Sequence, residues 1–436
     1  MNIHLIGIGG IGVSGLALYY LSRGFNITGS DISESEITKD LKRKGVKIFP
    51  GHLEKNLPPK TDLLVYSPAV REDNPELIRA RELNIPIKSY PEALGELTKE
   101  YFTIAISGSH GKSTTTGIIS SILVEGGLDP TVIIGTKLKE FSQGNYREGS
   151  SEILLIEADE WRESFLNYHP DIIVLTNLEK EHLDYYRDLN HLIDSFNNYL
   201  RNLKEGGVVI FNGDDENLKK LSITSSFKKF SKEGREIEEI KEVIKIPGEH
   251  NLENALAAYF LGLEMEISKK DILKGIAKFS GSWRRFEEKK IKVEGKEINL
   301  IQDYAHHPSE IRATLKTVKE KYKDSRIFTL FQPHQYQRTF HLKEDLIEVF
   351  SKHLLGETII TDIFNVAGRE EEDMSKKINS KKLVEEIDRK EVIHIPSLEE
   401  SSRFLKENLQ SKDTLVIMGA GDIYKVEALL KNQGRL

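Results

Sequence analysis

The stretch Ile104-Ala-Ile-Ser-Gly-Ser-His-Gly-Lys-Ser-Thr-Thr-Thr116 constrains the fold of this chain more than any other. It sets a buried-strand pattern against a Gly-Lys-Ser turn, and the turn against an apolar helix, Ile118-Ile-Ser-Ser-Ile-Leu-Val124. A strand feeding a helix through a tight glycine turn opens a parallel α/β unit. The turn aims backbone N–H groups and the positive end of the helix at one point, where a polyphosphate fits. Lys112 adds a full charge there, and Ser113 a hydroxyl suited to Mg²⁺. The spacing departs from the common GxxxxGK[ST]: Ile106 stands in the place of the first glycine, leaving Gly108-x-x-Gly111-Lys112-Ser113. The bland alternative is an ordinary strand-to-helix turn with a solvated lysine. The strand before and the helix after favour phosphate binding, and ATP as its source.

A second glycine turn lies at the start of the chain. Ile3 to Ile8 reads as a strand, Gly9 to Gly12 as a turn, then an apolar helix to about Ser22 and a short strand ending in Thr28-Gly-Ser-Asp31. Gly7-x-Gly9-x-x-Gly12 with Asp31 beyond it is the fingerprint that lets backbone approach a diphosphate. A glycine-rich packing turn is the competing reading. The run Ile3 to Leu21 has no charged residue, yet Gly7, Gly9, Gly10, Gly12 and Gly15 break it, and no basic segment precedes it. A strand, turn and packed helix suit such glycines better than a membrane span or signal, so a cytoplasmic location is expected.

Strands alternate with helices onward, through Asp62–Ser67 and Pro86–Ser89. A second α/β unit begins near Tyr101 and holds the Gly-Lys-Ser turn, then strands at Ile153–Ala158, Ile172–Thr176 and Gly207–Phe211. Phe227 to Lys245, rich in Lys and Glu, reads as solvated surface, and His250 to Leu263 as a helix. A third unit starts around Trp283, with strands at Ile298–Ile301, Ile327–Phe331, Thr358–Thr361 and Leu415–Met418; Arg369–Asp373 reads as a charged loop. At 436 residues, about three domains is the natural count. Net charge is −7, which gives no global basic field for nucleic acid or anionic membrane. With no cysteine, disulfides, thiolate metal sites and a cysteine nucleophile are excluded.

A phosphate site needs a metal, and strand ends supply its ligands. Glu157, Asp159 and Glu160 end the apolar run Leu154–Ile156, where an acid is a hard oxygen ligand for Mg²⁺ or, alternatively, a helix N-cap. The next strand runs into Asn177-Leu-Glu-Lys-Glu-His-Leu-Asp184, which places His182 and Asp184 near the same end as a metal ligand pair, or as structural residues. In the third unit, Asp303-Tyr-Ala-His-His-Pro308 and Gln332-Pro-His-Gln-Tyr-Gln-Arg-Thr339 each follow a strand. Arg338 suits a carboxylate held bidentately, and His306 suits proton transfer from an amine; satisfied loop residues remain the alternative.

Taken together, these motifs resemble the Mur ligases of peptidoglycan synthesis across essentially the whole chain. The resemblance rests on Gly7–Gly12, Gly108–Thr116, Glu157–Glu160, Thr176-Asn177 with His182–Asp184, Gly248–Ala255, Arg284–Phe286, Asp303–Pro308, Gln332–His334 and Gly419–Ile423, in the family's order. It implies an α/β chain of three domains: a Rossmann-like domain for the UDP-sugar over 1–99, a central P-loop-type ATPase domain over 100–282, and a Rossmann-like amino-acid domain over 283–436. It implies an ATP-dependent, Mg²⁺-assisted ligase of the alanine-adding branch, joining L-alanine to UDP-N-acetylmuramate through an acyl phosphate, with no nucleic-acid or membrane partner.

By the same resemblance, Gly7, Gly9, Gly10, Gly12 and Asp31 would hold the UDP portion. Gly108, Ser109, His110, Gly111, Lys112, Ser113, Thr114, Asn177 and Asp303 would serve the ATP site, with His250, Asn251 and Asn254 lining the adenine. Ser113 and Glu157 would hold one Mg²⁺ and His182 a second. Arg285 would reach the phosphates, and Tyr304, His306, His334 and Arg338 would hold the amino acid. Gln335 stands where related ligases often carry a basic residue, and the stretch from Asp215 to His250 is short for the family. Asp194–Tyr199 offers no lysine of the kind that some members carbamylate, which fits the alanine-adding branch. The rivals are a ligase of the same family that attaches a whole tripeptide, a nicotinamide-dependent dehydrogenase, and a non-catalytic nucleotide sensor. The dehydrogenase leaves the Gly-Lys-Ser turn and the acids unexplained.

Overall fold

The computed structural model describes residues 1–180, 185–365 and 374–431. Among them two compact units form. The first takes the described residues of 1–180, Tyr185–Lys245 and Asn251–Ser282; the second takes Ile246–His250 and the described residues from Trp283 onward. His182, Asp184 and the Arg369–Asp373 loop lie outside the described residues.

Two sheets build the first unit. The first has β1 (Asn2–Ile6), β2 (Asn26–Asp31), β3 (Lys47–Pro50), β4 (Leu63–Tyr66) and β5 (Ile87–Ser89), in the order β3-β2-β1-β4-β5, all parallel. The helices α1 (Ile11–Ser22), α2 (Glu36–Arg43), α3 (Pro75–Glu82) and α4 (Tyr90–Glu100) alternate with these strands. Strand order reverses at β1, and the reversal opens a crevice at the carboxyl edge, where the glycine turn lies. β1 stops two residues before the expected Ile8. Gly7 takes φ 73° there, and the amides of Gly7 and Ile8 both turn onto Ser30 O, at 2.9 and 3.2 Å.

The second sheet comprises β6 (Phe102–Ser107), β7 (Thr131–Ile133), β8 (Tyr146–Arg147), β9 (Ile153–Glu157), β10 (Ile172–Leu175), β11 (Val208–Asn212) and β12 (Ser226–Phe230). Its order is β12-β11-β10-β6-β9-β7-β8, with only β8 antiparallel. Central β6 feeds α5 (Lys112–Glu125) through the Gly-Lys-Ser turn. Residues 113–120 of α5 are buried on every side, which is why its sequence shows no polar face. Four further helices follow: α6 (Leu189–Leu200), α7 (Glu236–Val243), α8 (Glu249–Glu264) and α9 (Lys269–Lys278). At Gly275 α9 lies so close to α5 that an added Cβ would come within 2.6 Å of Ile122 Cα. The Lys/Glu-rich stretch at 227–245 is not uniformly solvated. It makes the edge strand β12 and the helix α7, which buries Ile237 and Ile240 against α9.

One connection sets the geometry of the first unit. α4 leaves β5 at the carboxyl edge of the first sheet and runs back to the start of β6. Antiparallel to β6, it therefore begins at the carboxyl edges of both sheets. Polar pins hold the two halves together: Tyr19 and Tyr101 share a hydroxyl contact at 3.2 Å, Arg23 donates to Tyr101 Oη at 2.7 Å, and Ser22 meets Tyr146 Oη at 2.7 Å.

The second unit holds β13 (Glu287–Val293), β14 (Lys296–Asp303), β15 (Ile327–Phe331), β16 (Gly356–Ile360), β17 (Val392–His394) and β18 (Thr414–Met418), in the order β13-β14-β18-β15-β16-β17. Only β13 is antiparallel. Its run of Glu and Lys masks a strand in the sequence, because such residues are poor strand formers except where they decorate an edge. α10 (Pro308–Lys321) follows β14 and α11 (Tyr336–His341) follows β15. With β18 between β14 and β15, the two polar clusters flank the turn at Gly419. Among the described residues no helix is long and apolar enough to cross a membrane.

Candidate active site

The loop between β6 and α5 is built from backbone that only glycine adopts easily. Gly108 has φ 126° and Gly111 φ 86°. A Cβ on Gly108 would come within 2.3 Å of Thr176 Oγ1, and one on Gly111 within 2.3 Å of Asn254 Oδ1. The loop is also lashed to the end of β10. Asn177 accepts from His110 N at 2.9 Å and donates to His110 O at 3.0 Å, while Thr176 Oγ1 donates to the same carbonyl at 2.6 Å. Ser109 and Glu179 exchange two further bonds, at 3.0 and 2.9 Å. Both polar ends of Asn177 are thus turned onto the loop. Thr114 lies buried on the first turn of α5.

Lys112 folds back over this loop. Its ammonium donates to Gly108 O at 2.6 Å, Ser109 O at 3.1 Å and Glu160 Oε2 at 2.9 Å. The lysine side chain is 15% exposed and that of Glu160 1%, so the pair is shielded from water and screening is weak. Ser113 Oγ donates to Glu157 Oε2 at 3.0 Å, and Glu157 Oε1 accepts from Gly135 N at 2.8 Å. A hydroxyl and a carboxylate side by side at the strand end are the hard oxygen donors that Mg²⁺ takes, next to an ammonium and N–H groups that fit phosphates. The residues present therefore fit a magnesium-bound triphosphate. Asn251 and Asn254 sit on the first two turns of α8, where Thr115 Oγ1 donates to Asn254 Oδ1 at 3.3 Å and Asn254 Nδ2 to Asn251 Oδ1 at 3.3 Å. His250 belongs to the second unit, next to Gly248 with φ 102°. His182 lies outside the described residues.

At the first glycine turn, Gly9 N donates to Asp31 Oδ2 at 2.8 Å, and Asp31 Oδ1 accepts from Ser33 N at 3.0 Å. Asp31 braces the loop from the end of β2. A buried polar chain backs it: His4 Nε2 meets Glu76 Oε2 at 2.6 Å, Glu76 Oε1 meets His52 Nδ1 at 3.3 Å, and His52 Nδ1 meets Ser30 Oγ at 3.0 Å. Burial pushes the Glu76 carboxyl up, but the hydrogen bonds from His4, His52 and Ser30 outweigh it and hold the pKa at about 2. Gly10 precedes α1, and Gly12 lies in its first turn.

In the second unit the two clusters come together as a ring stack. Tyr304 meets His306 with centroids 5.5 Å apart, His306 meets His334 at 5.8 Å, and His334 lies parallel to Phe364 at 5.6 Å. Arg285 lies over Tyr304 at 4.8 Å. Glu310, on the first turn of α10, joins them: it lies 3.2 Å from His306 Nδ1 and 3.7 Å from Arg285. Asp303 accepts from Phe286 N at 2.8 Å and Ala305 N at 2.7 Å, so both its oxygens serve the local backbone. Burial raises its pKa to about 6. Arg338 is half-buried on α11, just beyond Gln335, whose φ of 66° is strained for a residue with a side chain.

Glu310 and Lys112's partnership with Glu160 were not singled out from sequence. A Glu three residues into a helix does signal a capping box, which Glu310 makes with His307. Its ties to Arg285 and His306 had no local signal.

Three family profiles match the chain in order: "Mur ligase family, catalytic domain" over residues 2–102, "Mur ligase middle domain" over 106–262, and "Mur ligase, glutamate ligase domain" over 284–421. The UDP-N-acetylmuramate–L-alanine ligase of Acetivibrio thermocellus is 39% identical, over 99% of this chain and 96% of its own length. That of Clostridium perfringens is 37% identical, over 98% and 97%. Among solved structures, the UDP-N-acetylmuramate-alanine ligase of Thermotoga maritima superposes with a TM-score of 0.81 at 27% identity, covering 98% of both chains. A murein peptide ligase from Psychrobacter arcticus shares the fold, with a TM-score of 0.73 at 22% identity over the full length of both.

Proposed function

The chain belongs to the Mur ligase family, and we propose that within it this protein joins L-alanine to the lactyl carboxylate of UDP-N-acetylmuramate, with ATP going to ADP and phosphate, in cytoplasmic peptidoglycan synthesis. The end-to-end match to relatives that carry this activity in their names carries the reading. The division of labour is 1–99 for the UDP-sugar, 100–282 for ATP and 283–436 for the amino acid.

A carboxylate is a poor electrophile, so its oxygen first takes the γ-phosphoryl group; the amine of alanine then attacks the acyl phosphate and phosphate leaves. Charge spreads over the phosphoryl oxygens in that transfer, and catalysis is mostly positioning and electrostatic stabilisation. Lys112 exchanges its loop carbonyls for the β/γ-phosphates, while Glu160 keeps the ammonium in place. Ser113 and Glu157 would hold Mg²⁺, and His182 a second ion. Bound Mg²⁺ would neutralise phosphate charge. Asn251 and Asn254 line the adenine. Arg338 grips the alanine carboxylate beside Tyr304 and His334, and His306 takes the proton from its amine, oriented by Glu310.

Phosphate release tests the reading: the full chain is assayed with ATP, Mg²⁺ and UDP-N-acetylmuramate against a panel of amino acids and the L-Ala-γ-D-Glu-meso-diaminopimelate tripeptide. Alanine should be preferred. Preference for the tripeptide would place the chain in the peptide-adding branch instead.

A further inference from the structure

Tyr90 lies outside every motif of the sequence. It is the first residue of α4, the helix that begins at the carboxyl edges of both sheets of the first unit. A capping box holds it there: Ser89 N donates to Glu92 Oε2 at 2.7 Å, and Glu92 N to Ser89 Oγ at 3.4 Å. Pro91 stiffens the same turn.

The ring lies against the first turn of α1. A Cβ built on Gly12 would come within 2.9 Å of Tyr90 Cζ and 3.1 Å of its hydroxyl oxygen, so the approach exists only because residue 12 is glycine. That first turn is where the helix end and the loop amides favour an anion. Among the described residues the Tyr90 hydroxyl makes no hydrogen bond, and it is not sealed from solvent. Partial burial of the ring, then the charges of Glu157 and Asp159 across the cleft, raise the phenol's pKa, which keeps the group a hydrogen-bond donor through the working pH range.

We propose that Tyr90 is a substrate-positioning residue whose phenol O–H donates to the diphosphate of the bound sugar nucleotide, at the first turn of α1 beside Gly12. The inference rests on the reading of the first glycine loop as the UDP-sugar site. A neutral donor to a charged oxygen makes a short, strong hydrogen bond, which anchors the sugar nucleotide by its diphosphate. Gly12 then has two roles: backbone approach to the ligand, and room for this ring.

Tyr90→Phe in the full chain keeps the ring and deletes only the donor. We expect the KM for UDP-N-acetylmuramate to rise at least tenfold, with kcat, the KM values for ATP and alanine, and the melting temperature unchanged. Inhibition by UDP should weaken in parallel, while inhibition by UMP, which lacks the second phosphate, should change little. Unchanged KM and UDP inhibition overturn the proposal. So does a fall in melting temperature with all three KM values shifting alike, which marks a packing role. If the wild type does not turn over UDP-N-acetylmuramate, the functional reading fails, and UDP binding to wild type and Tyr90→Phe by calorimetry still decides the contact.

Discussion

Gly111→Ala isolates the tightest contact of the phosphate loop. At φ 86° an alanine is strained, at a cost of about 1–2 kcal/mol. Its Cβ would also stand 2.3 Å from Asn254 Oδ1, so Asn254 must swing away. That movement gives up its bonds to Thr115 and Asn251, both 3.3 Å long, each contributing about 0.5–1.5 kcal/mol. The total is about 2–5 kcal/mol, accompanied by a displaced loop and a higher KM for ATP. Gly24→Ala is the control, because Gly24 has φ 79° and nothing within 4 Å of its added Cβ. It should lose only the strain, about 1–2 kcal/mol, with ATP kinetics unchanged. Thermal unfolding and steady-state kinetics of both variants are compared. In combination with Asn254→Ala the cost of Gly111→Ala should be less than additive. Equal losses in the two glycine variants, with unchanged ATP KM, would refute the packing of α8 on the loop.

Lys112→Ala should abolish ADP formation and also lower the melting temperature, because it leaves the buried Glu160 carboxylate without its ammonium partner; near-normal turnover would remove the ATP assignment. Glu76 is held at about 2 in the folded chain against 4.5 unfolded, so its contribution to stability is complete above pH 4.5 and is lost as pH falls toward 2. Glu76→Gln should therefore lower stability at neutral pH and flatten its decline across that window in acid titrations; an unchanged slope would show that the His4–Glu76–His52 chain contributes none. Arg338→Lys should raise the KM for alanine far more than that for ATP or the sugar nucleotide, because a point charge does not reproduce a planar fork. Gln335 replacement should act more mildly on the same constant.

What could be read from the sequence was what is local in it. The two glycine turns and the parallel α/β character both rest on residues within a few positions of one another. Their periodicity and turn chemistry survive as linear patterns. The charged edge strand β13 escaped because one solvated face and Lys/Glu-rich positions erase the usual strand signal. What joins distant parts of the chain belonged to the tertiary structure alone. Lys112 meets Glu160 across 48 positions, Asn254 meets Thr115 across 139, and Tyr90 fills the space that Gly12 leaves. Glu310 reaches Arg285 and His306 only because α10 starts where β14 ends. Such contacts follow from how sheets stack their carboxyl edges and which helix bridges them. No spacing in the chain encodes that, because it depends on strand order, and strand order is set by packing the whole core at once.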